Sequence, residues 1–414
     1  MKEYEIDAVT TMYPALSGSK HGYVYRICVI LKKEINEKAI KQAVIDLAPR
    51  FPIMYTHLKK NFLRYTQIES TDFDIVEFRK TPKLFMPELY DTNKPAFRIY
   101  CDGIRMSFDI FHANGDGTAA MIYIKTLLSH YLEVLGISSE NIDGIAKLNQ
   151  SPTENELKDD YLTYCEKGRK SSLNDANAFM LKYPVKEDYF RMLCIKMPVI
   201  ELKSIIKPKG FTISEYLIAT LYEAVKTQYD VNKTKKPIKI SVPINLRQFF
   251  KSDSFRNFAY FTNVALYPKE NLSFDEIMLS TKKQLQKATE MENLLNSITQ
   301  ASRLLKEPYM KYLPRVAKDF CIKVGYKIFG RNKMTLTFSN MGVQALPKEI
   351  EEIIDRFEIH LGSTDGYVNS AAIGFDGYIS MCMCFSSEDK SLENKFIEIL
   401  ESDGINVTKS ELTV

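Results

Sequence analysis

The chain has no tryptophan and only five histidines in 414 residues, so each histidine can be weighed by itself. Its seven cysteines (28, 101, 165, 194, 321, 382 and 384) are odd in number and mostly isolated. They lack CxxC spacing, which argues against a zinc ribbon or a redox pair. Cys382 and Cys384 stand two apart in YISMCMCF and share one face of a strand. They read as two buried free thiols in a core strand, ahead of a metal or redox pair. No stretch approaches 18 uninterrupted apolar residues, so no membrane-spanning helix is expected. The start, MKEYEIDAVTTMYPALSG, is broken by Glu3, Glu5 and Asp7 and has no apolar core of the kind a signal peptide needs. These absences suggest a reducing cytoplasm. There is no excess of charge of either sign: 56 Lys+Arg against 52 Asp+Glu leave +4, too even for a protein whose main work is holding nucleic acid. A GxSxG nucleophile elbow is absent, as are short-period repeats and low-complexity tracts.

What is present is an ordinary globular composition, 45% hydrophobic and 26% charged. The length suits two or three domains, or one large unit that needs no disulfide or metal to fold. Strand formers fill Tyr23 to Leu31. Asn36 is placed to cap EKAIKQAVIDLA, where Ala39, Ile40, Ala43, Val44 and Leu47 recur on one helical face before Pro49 and Pro52 stop it. Strands follow near Ile53–Leu58 and Leu63–Ile68. AFRIYCDGIRMSFDIF reads as a hairpin turning at Asp102-Gly103. The helix after it, TAAMIYIKTLLSHYLEVLG, has Gly136 as its C-terminal stop. A polar connection spans about 138–188, and the second half repeats the logic. It has a strand near Phe190–Met197, a helix opened by a Thr212/Glu215 capping box, the strands IKISVPIN, FTNVALY and MTLTFSN, and a helical stretch from about Phe274 to Leu305. A hairpin turning at Asp376-Gly377 and a helix over ENKFIEILES close the chain. The fold class is α+β, with mostly antiparallel sheets in two halves, 1–165 and 166–414.

One stretch carries chemistry: Phe111-His112-Ala113-Asn114-Gly115-Asp116-Gly117, between a strand and a helix. HxxxD is expected by chance about 0.3 times in such a chain, and HxxxDG about 0.01 times. An imidazole titrating near 6.5 can take a proton at neutral pH. Gly115 and Gly117 permit a tight turn and leave space beside the ring. Asp116, at the start of the next helix, is favoured by the dipole and is expected to face away from the reacting group, bracing the loop through an arginine. The plainer alternative is a buried hydrogen-bonding histidine followed by an N-cap.

FDIFHANGDGTAAMIYIKTL resembles the signature of the superfamily of chloramphenicol acetyltransferase, peptide-synthetase condensation domains, alcohol acetyltransferases and polyketide-associated acyltransferases. AVIDLAPRFPIMYTHL, SVPINLRQFF, FRNFAYFTNVAL and TLTFSNMG resemble further segments in the same order. The bacterial alcohol-acetyltransferase-like group is the nearest in pattern. The resemblance implies two chloramphenicol-acetyltransferase-like α/β sandwich domains meeting at a central tunnel. His112 would be the general base in a direct attack of an alcohol or amine on a thioester, with no acyl-enzyme. Arg247 would pair with Asp116 across the halves. Gly115 and Gly117 would border the substrate, and Asn263, Ser339 or Asn340 would serve the oxyanion. Acyl-CoA or an acyl carrier thioester would be co-substrate, with no permanently bound cofactor and no metal. Condensation domains carry two histidines before xxxDG, and here the first is Phe111, which favours a free-standing acyltransferase using acyl-CoA. The alternatives are a carrier-protein-interacting condensation-like module, a non-catalytic ligand-binding module of the same fold, and a metal protein using His112 and Asp116. His57 and His360 read as packed or edge residues, His130 as a helix-end cation, and His21 as a tunnel-mouth residue. Lys32-Lys33, Lys59-Lys60 and Lys235-Lys236 read as solvated faces, any of which could meet nucleotide phosphates.

Overall fold

The computed structural model describes residues 1–17, 22–82, 84, 93–140, 142–166, 176–182, 184, 189–230, 233–306, 312–330, 332–362 and 368–413, with backbone only at 303–306 and 329. His21 and part of the polar connection lie outside the described residues.

Two large sheets organise the chain. The first holds β2 (Val24–Leu31), β5 (Val76–Phe78), β6 (Phe97–Asp102), β7 (Arg105–Phe111) and β12 (Ile354–Leu361), in the order β12-β2-β7-β6-β5. The second holds seven strands in the order β10-β9-β11-β13-β14-β8-β15. These are β8 (Arg191–Pro198), β9 (Ile238–Asn245), β10 (Ala259–Leu266), β11 (Leu336–Val343), β13 (Val368–Phe375), β14 (Tyr378–Phe385) and β15 (Thr408–Thr413). A small sheet joins β1 (Glu3–Glu5), β4 (Tyr65–Glu69) and β3 (Thr56–Lys60). Pairing is antiparallel except at β5–β6, β9–β11 and β11–β13. Sequence order alone does not reveal that β12, from late in the chain, pairs with β2 and so completes the first half's sheet.

Helix Glu37–Leu47 is capped by Asn36 Oδ1, which accepts from Ala39 N at 3.0 Å, and it lies with helix Gly117–Val134 on one face of the five-stranded sheet. Ile124, Leu127, Leu128 and Leu132 of the second helix are buried there. Burying each such side chain stabilises the fold by about 1.5–3 kcal/mol. The seven-stranded sheet is covered by helices Val199–Ile206, Ile213–Lys226, Phe274–Ala288 and Ser391–Ser402. The Thr212/Glu215 capping box is present.

Two local readings need correction. In the first hairpin Asp102 pairs with Arg105, so the turn residues are Gly103 and Ile104. Gly103, at φ +59°, takes the first central position, where a type II′ turn wants glycine. The stretch from Phe274 is two helices, Phe274–Ala288 and Met291–Lys306, because Thr289 terminates the first. The polar connection carries ordered structure of its own. Its short helix Glu154–Leu157 is tied down by Arg50, whose guanidinium grips Glu156 at 2.6 and 3.0 Å. The Asp376-Gly377 turn is as expected, both residues having positive φ as a type I′ turn requires. Cys382 and Cys384 are buried free thiols.

Candidate active site

β7 ends at Phe111, and the chain turns into the helix Gly117–Val134. His112 is held at the turn by its own N–H, which donates to Tyr23 O at 2.9 Å. The rings of Tyr13 and Tyr25 each lie 5.0 Å from the imidazole, centroid to centroid. Tyr25 Oη donates to the carbonyls of Gly115 and Asp116 at 3.0 and 3.1 Å. Asn114 Nδ2 donates to the carbonyls of Met54 and Thr56, both at 3.0 Å. The turn is therefore braced from three neighbouring elements.

The imidazole's Nδ1 lies 3.0 Å from Asn257 Oδ1. Asn257 sits in FRNF, just before β10. Its own Nδ2 faces Asp7 Oδ2 at 3.3 Å, and its backbone N–H donates to the same oxygen at 3.2 Å. A carboxylate only accepts, so Asp7 requires the NH₂ end of the amide on its side. The amide oxygen is then left for His112, which makes Nδ1 the donor and Nε2 the nitrogen with the free lone pair. Asp7 is fixed in turn by an ion pair with Arg256. Burial lowers the pKa of His112 below the ordinary imidazole value, against the opposing effect of the Asn257 hydrogen bond. Neutral imidazole, the form that can accept a proton, therefore predominates at pH 7.

Asp116 is bonded to the backbone of two segments and to Arg247. Its Oδ1 accepts from Ala119 N at 3.0 Å and caps the helix. Its Oδ2 accepts from Phe258 N at 2.8 Å and from Arg247 Nη1 at 2.6 Å. Burial opposes ionisation, but the Arg247 charge and these donors outweigh it and hold the carboxyl below its ordinary range. Both oxygens are committed, so Asp116 has little to offer a metal shared with His112. Arg247 also donates to Ser254 O and Arg256 O, binding the loop that carries Asn257. Asn245 Nδ2 crosses in the same direction to Thr118 Oγ1 at 3.1 Å.

The glycines serve close approach. A Cβ on Gly117 would lie 2.8 Å from Met341 Sδ, and one on Gly115 would lie 3.2 Å from Ala119 Cβ and 3.4 Å from Phe255 O. The space beside Gly117 is thus occupied by Met341 of β11, contrary to the expectation of an open gap. A small apolar pocket beside the turn is lined by Phe51, Met54, Asn114, Ala119, Leu157 and Phe255 among others.

The three oxyanion candidates separate. Asn340 is exposed and engaged elsewhere: its Nδ2 donates to Ser214 Oγ at 2.8 Å and its Oδ1 accepts from Gly342 N at 2.9 Å. Leu336 and Phe338 of β11 enter the core of the seven-stranded sheet, so by alternation Ser339 shares the opposite face with Met341, the face that meets Gly117. Asn263 faces that side too, since Val264 beside it enters the core and its cross-strand partner is Ser241. Sequence reasoning missed Asn257, Asp7, Tyr13 and Tyr25. FRNFAYFTN directs attention to Asn263, whereas the asparagine six residues earlier reaches His112.

His57 Nδ1 is 3.1 Å from Ser70 Oγ, and His130 bridges Asp46 and Glu133, both at 2.8 Å. His360, Cys28 and Glu358 form a separate buried cluster, their ligand-type atoms within 4.8 Å of one another. Glu358 there already holds Arg105 at 2.7 Å and Arg356 at 3.0 Å, so two guanidiniums already answer its charge.

By sequence, the chain matches no family model and no curated protein. By structure it is similar to TRI3 trichothecene 15-O-acetyltransferase from Fusarium sporotrichioides, at TM-score 0.66 and 10% identity over 97% of this chain and 95% of that one. It is also similar to F. sporotrichioides TRI101 complexed with coenzyme A and T-2, at TM-score 0.65 and 10% identity over 98% and 100%. The first condensation domain of the CDA synthetase aligns at TM-score 0.63 and 12% identity over 97% and 96%. The chain shares the two-domain fold of these acetyltransferases and condensation domains.

Proposed function

We propose that the protein is an acyltransferase that moves an acyl group, acetyl in the simplest case, from acyl-CoA to a small-molecule alcohol or amine. The observation that carries this reading is the hydrogen-bond chain from His112 Nδ1 through the Asn257 amide to Asp7, from which the tautomer is inferred. Asn257 and Asp7 together leave Nε2 unprotonated, with the imidazole kept neutral by burial. That is the state a general base needs.

Nε2 takes the acceptor's proton as its oxygen or nitrogen attacks the thioester carbonyl. The C–O or C–N bond forms, and the carbonyl electrons move onto oxygen. When the tetrahedral intermediate collapses, the C–S bond breaks, and the departing thiolate recovers the proton from Nε2. Free thiol and acylated acceptor result, with no covalent enzyme intermediate. Ser339 Oγ, on the β11 face toward the turn, is our choice for the oxyanion donor, with Asn263 second. Asp116 and Arg247 act as positioning residues that hold the two halves and the Asn257 loop in register. Coenzyme A bound to TRI101 supports a soluble thioester donor. Likeness to a condensation domain favours, as a second reading, a donor carried on an acyl carrier protein. The test is acceptor-dependent release of free thiol from acetyl-CoA by the wild-type protein and by His112→Ala. Capture of an acylated carrier protein without turnover of acyl-CoA would favour the second reading.

A further inference from the structure

The helix Arg315–Gly325 is turned inside out. Three of its four charged residues face the protein: Arg315 donates to Asn61 O at 3.2 Å and pairs with Asp319 at 2.8 Å. Lys318 Nζ donates to Leu63 O at 2.7 Å, and Asp319 accepts from Tyr65 Oη at 2.7 Å. Its apolar residues face outward. Val316, Phe320 and Val324, spaced by four, are 67%, 68% and 39% exposed. Ile328 just beyond the helix, 58% exposed, and Phe62 at the tip of the β3–β4 hairpin, 78% exposed, adjoin the stripe. Arg315 N donates to Phe62 O at 2.8 Å, so the hairpin tip and helix are locked side by side. A surface helix normally shows the reverse arrangement, and a contiguous exposed apolar patch marks an interaction site.

Charge decides what covers it. Lys323 and Lys327 flank the stripe, and Lys59 stands on the adjoining hairpin, all exposed. From Lys306 to Lys333 the sequence has eight Lys/Arg against two Asp/Glu, while the remainder of the chain is net −2. The protein's excess of positive charge is thus concentrated in a segment that exposes an apolar stripe, and although Arg315 and Lys318 turn inward, Lys323 and Lys327 remain exposed beside it. We propose that this face docks on an anionic lipid bilayer, with Val316, Phe320, Val324, Ile328 and Phe62 entering the headgroup boundary and the lysines meeting lipid phosphates. No described helix is long and apolar enough to cross a membrane, so the contact is peripheral. The helix packs on helix Met12–Leu16, whose Tyr13 ring touches His112. On the acyltransferase reading, the bilayer then lies one short helix from the reacting centre, which suits an acceptor dissolved in lipid. That last step rests on the proposed activity, whereas the docking does not.

Vesicle flotation with the intact chain tests the docking without any substrate. The protein should float with phosphatidylcholine vesicles containing phosphatidylglycerol and stay behind with phosphatidylcholine alone. Val316→Ser/Phe320→Ser and Lys323→Glu/Lys327→Glu should each weaken partitioning by about tenfold or more at unchanged thermal midpoint. Ile200→Ser, a comparably exposed apolar site on helix Val199–Ile206, should float like wild type. The proposal is overturned if anionic vesicles fail to float the protein at physiological salt, or if both double variants float normally. A concentration-dependent dimer dispersed by Val316→Ser/Phe320→Ser would also overturn it, by assigning the face to a second copy.

Discussion

Replacing Asn257 with alanine removes the acceptor of the His112 Nδ1–H bond at 3.0 Å while leaving the imidazole itself intact. The backbone N–H of residue 257 can still reach Asp7, so the residue keeps one of its two bonds to Asp7, and the Arg256 and Arg247 ties of the loop are untouched. A donor in a site this buried, left without a partner, costs about 1–3 kcal/mol. If the full penalty falls on the productive tautomer, kcat/KM drops about 5- to 150-fold. The same change shifts the pH profile. The Asn257 bond is among the influences that raise the His112 pKa against burial. Its loss moves the rising limb of kcat/KM, below pH 6.5 in wild type, further to acid. Asn257→Asp does the opposite, because a carboxylate against Nδ1 stabilises imidazolium and moves the limb toward alkaline pH. The assay is thiol release from acyl-CoA across pH, paired with nitrogen NMR of the His112 tautomer, which needs no substrate. Wild-type kcat/KM in Asn257→Ala, with an unmoved limb and Nδ1 still protonated, would refute the claim that Asn257 sets the base.

Three further outcomes follow from the same geometry. Arg247→Ala strands the buried Asp116 carboxylate and should destabilise by about 3–5 kcal/mol in chemical denaturation. Asp116→Asn can still accept from Ala119 N and should lose less, so a larger loss in Asp116→Asn than in Arg247→Ala would reverse the assigned roles. Asp159 is pushed up to about 7 by burial and by the charge of Asp7. Its unfolded carboxyl ionises near 3.9, so between about pH 4 and 7 the folded chain holds a proton the unfolded chain has lost, and stability falls as pH rises through that window. Asp159→Asn should flatten that fall, gaining up to about 4 kcal/mol at pH 8 relative to pH 4, and an unchanged pH slope in denaturation would contradict it. Gly117→Ala meets only the flexible end of the Met341 side chain, which can swing aside, and should destabilise by about 1 kcal/mol or less; a loss above about 3 kcal/mol in melting experiments would show that Met341 cannot move.

Much of this was legible in the sequence because the signals are local. Asn36, Thr212 and Gly136 mark helix ends by their own chemistry, and the HxxxDG turn needs only seven consecutive residues. The Asp116–Arg247 pair, 131 positions apart, was reachable only through the family resemblance. What escaped is what folding brings together from unrelated segments. Asn257, Asp7 and Tyr13 carry no mark that ties them to a histidine a hundred residues away. β12 looks like any strand of the second half, yet its register is with β2. The outward stripe of Val316, Phe320 and Val324 has the spacing of an ordinary core-facing helix, and only the hydrogen bonds of Arg315 and Lys318 reveal which side is inward.

The central claim is that His112 is the general base. Its most direct test is acceptor-dependent thiol release from acetyl-CoA in wild type and in His112→Ala, with melting temperatures compared. A general base contributes about 10²- to 10⁴-fold, so the variant should fall by that factor in kcat/KM while melting within a few degrees of wild type. Full activity in a folded His112→Ala would contradict the account.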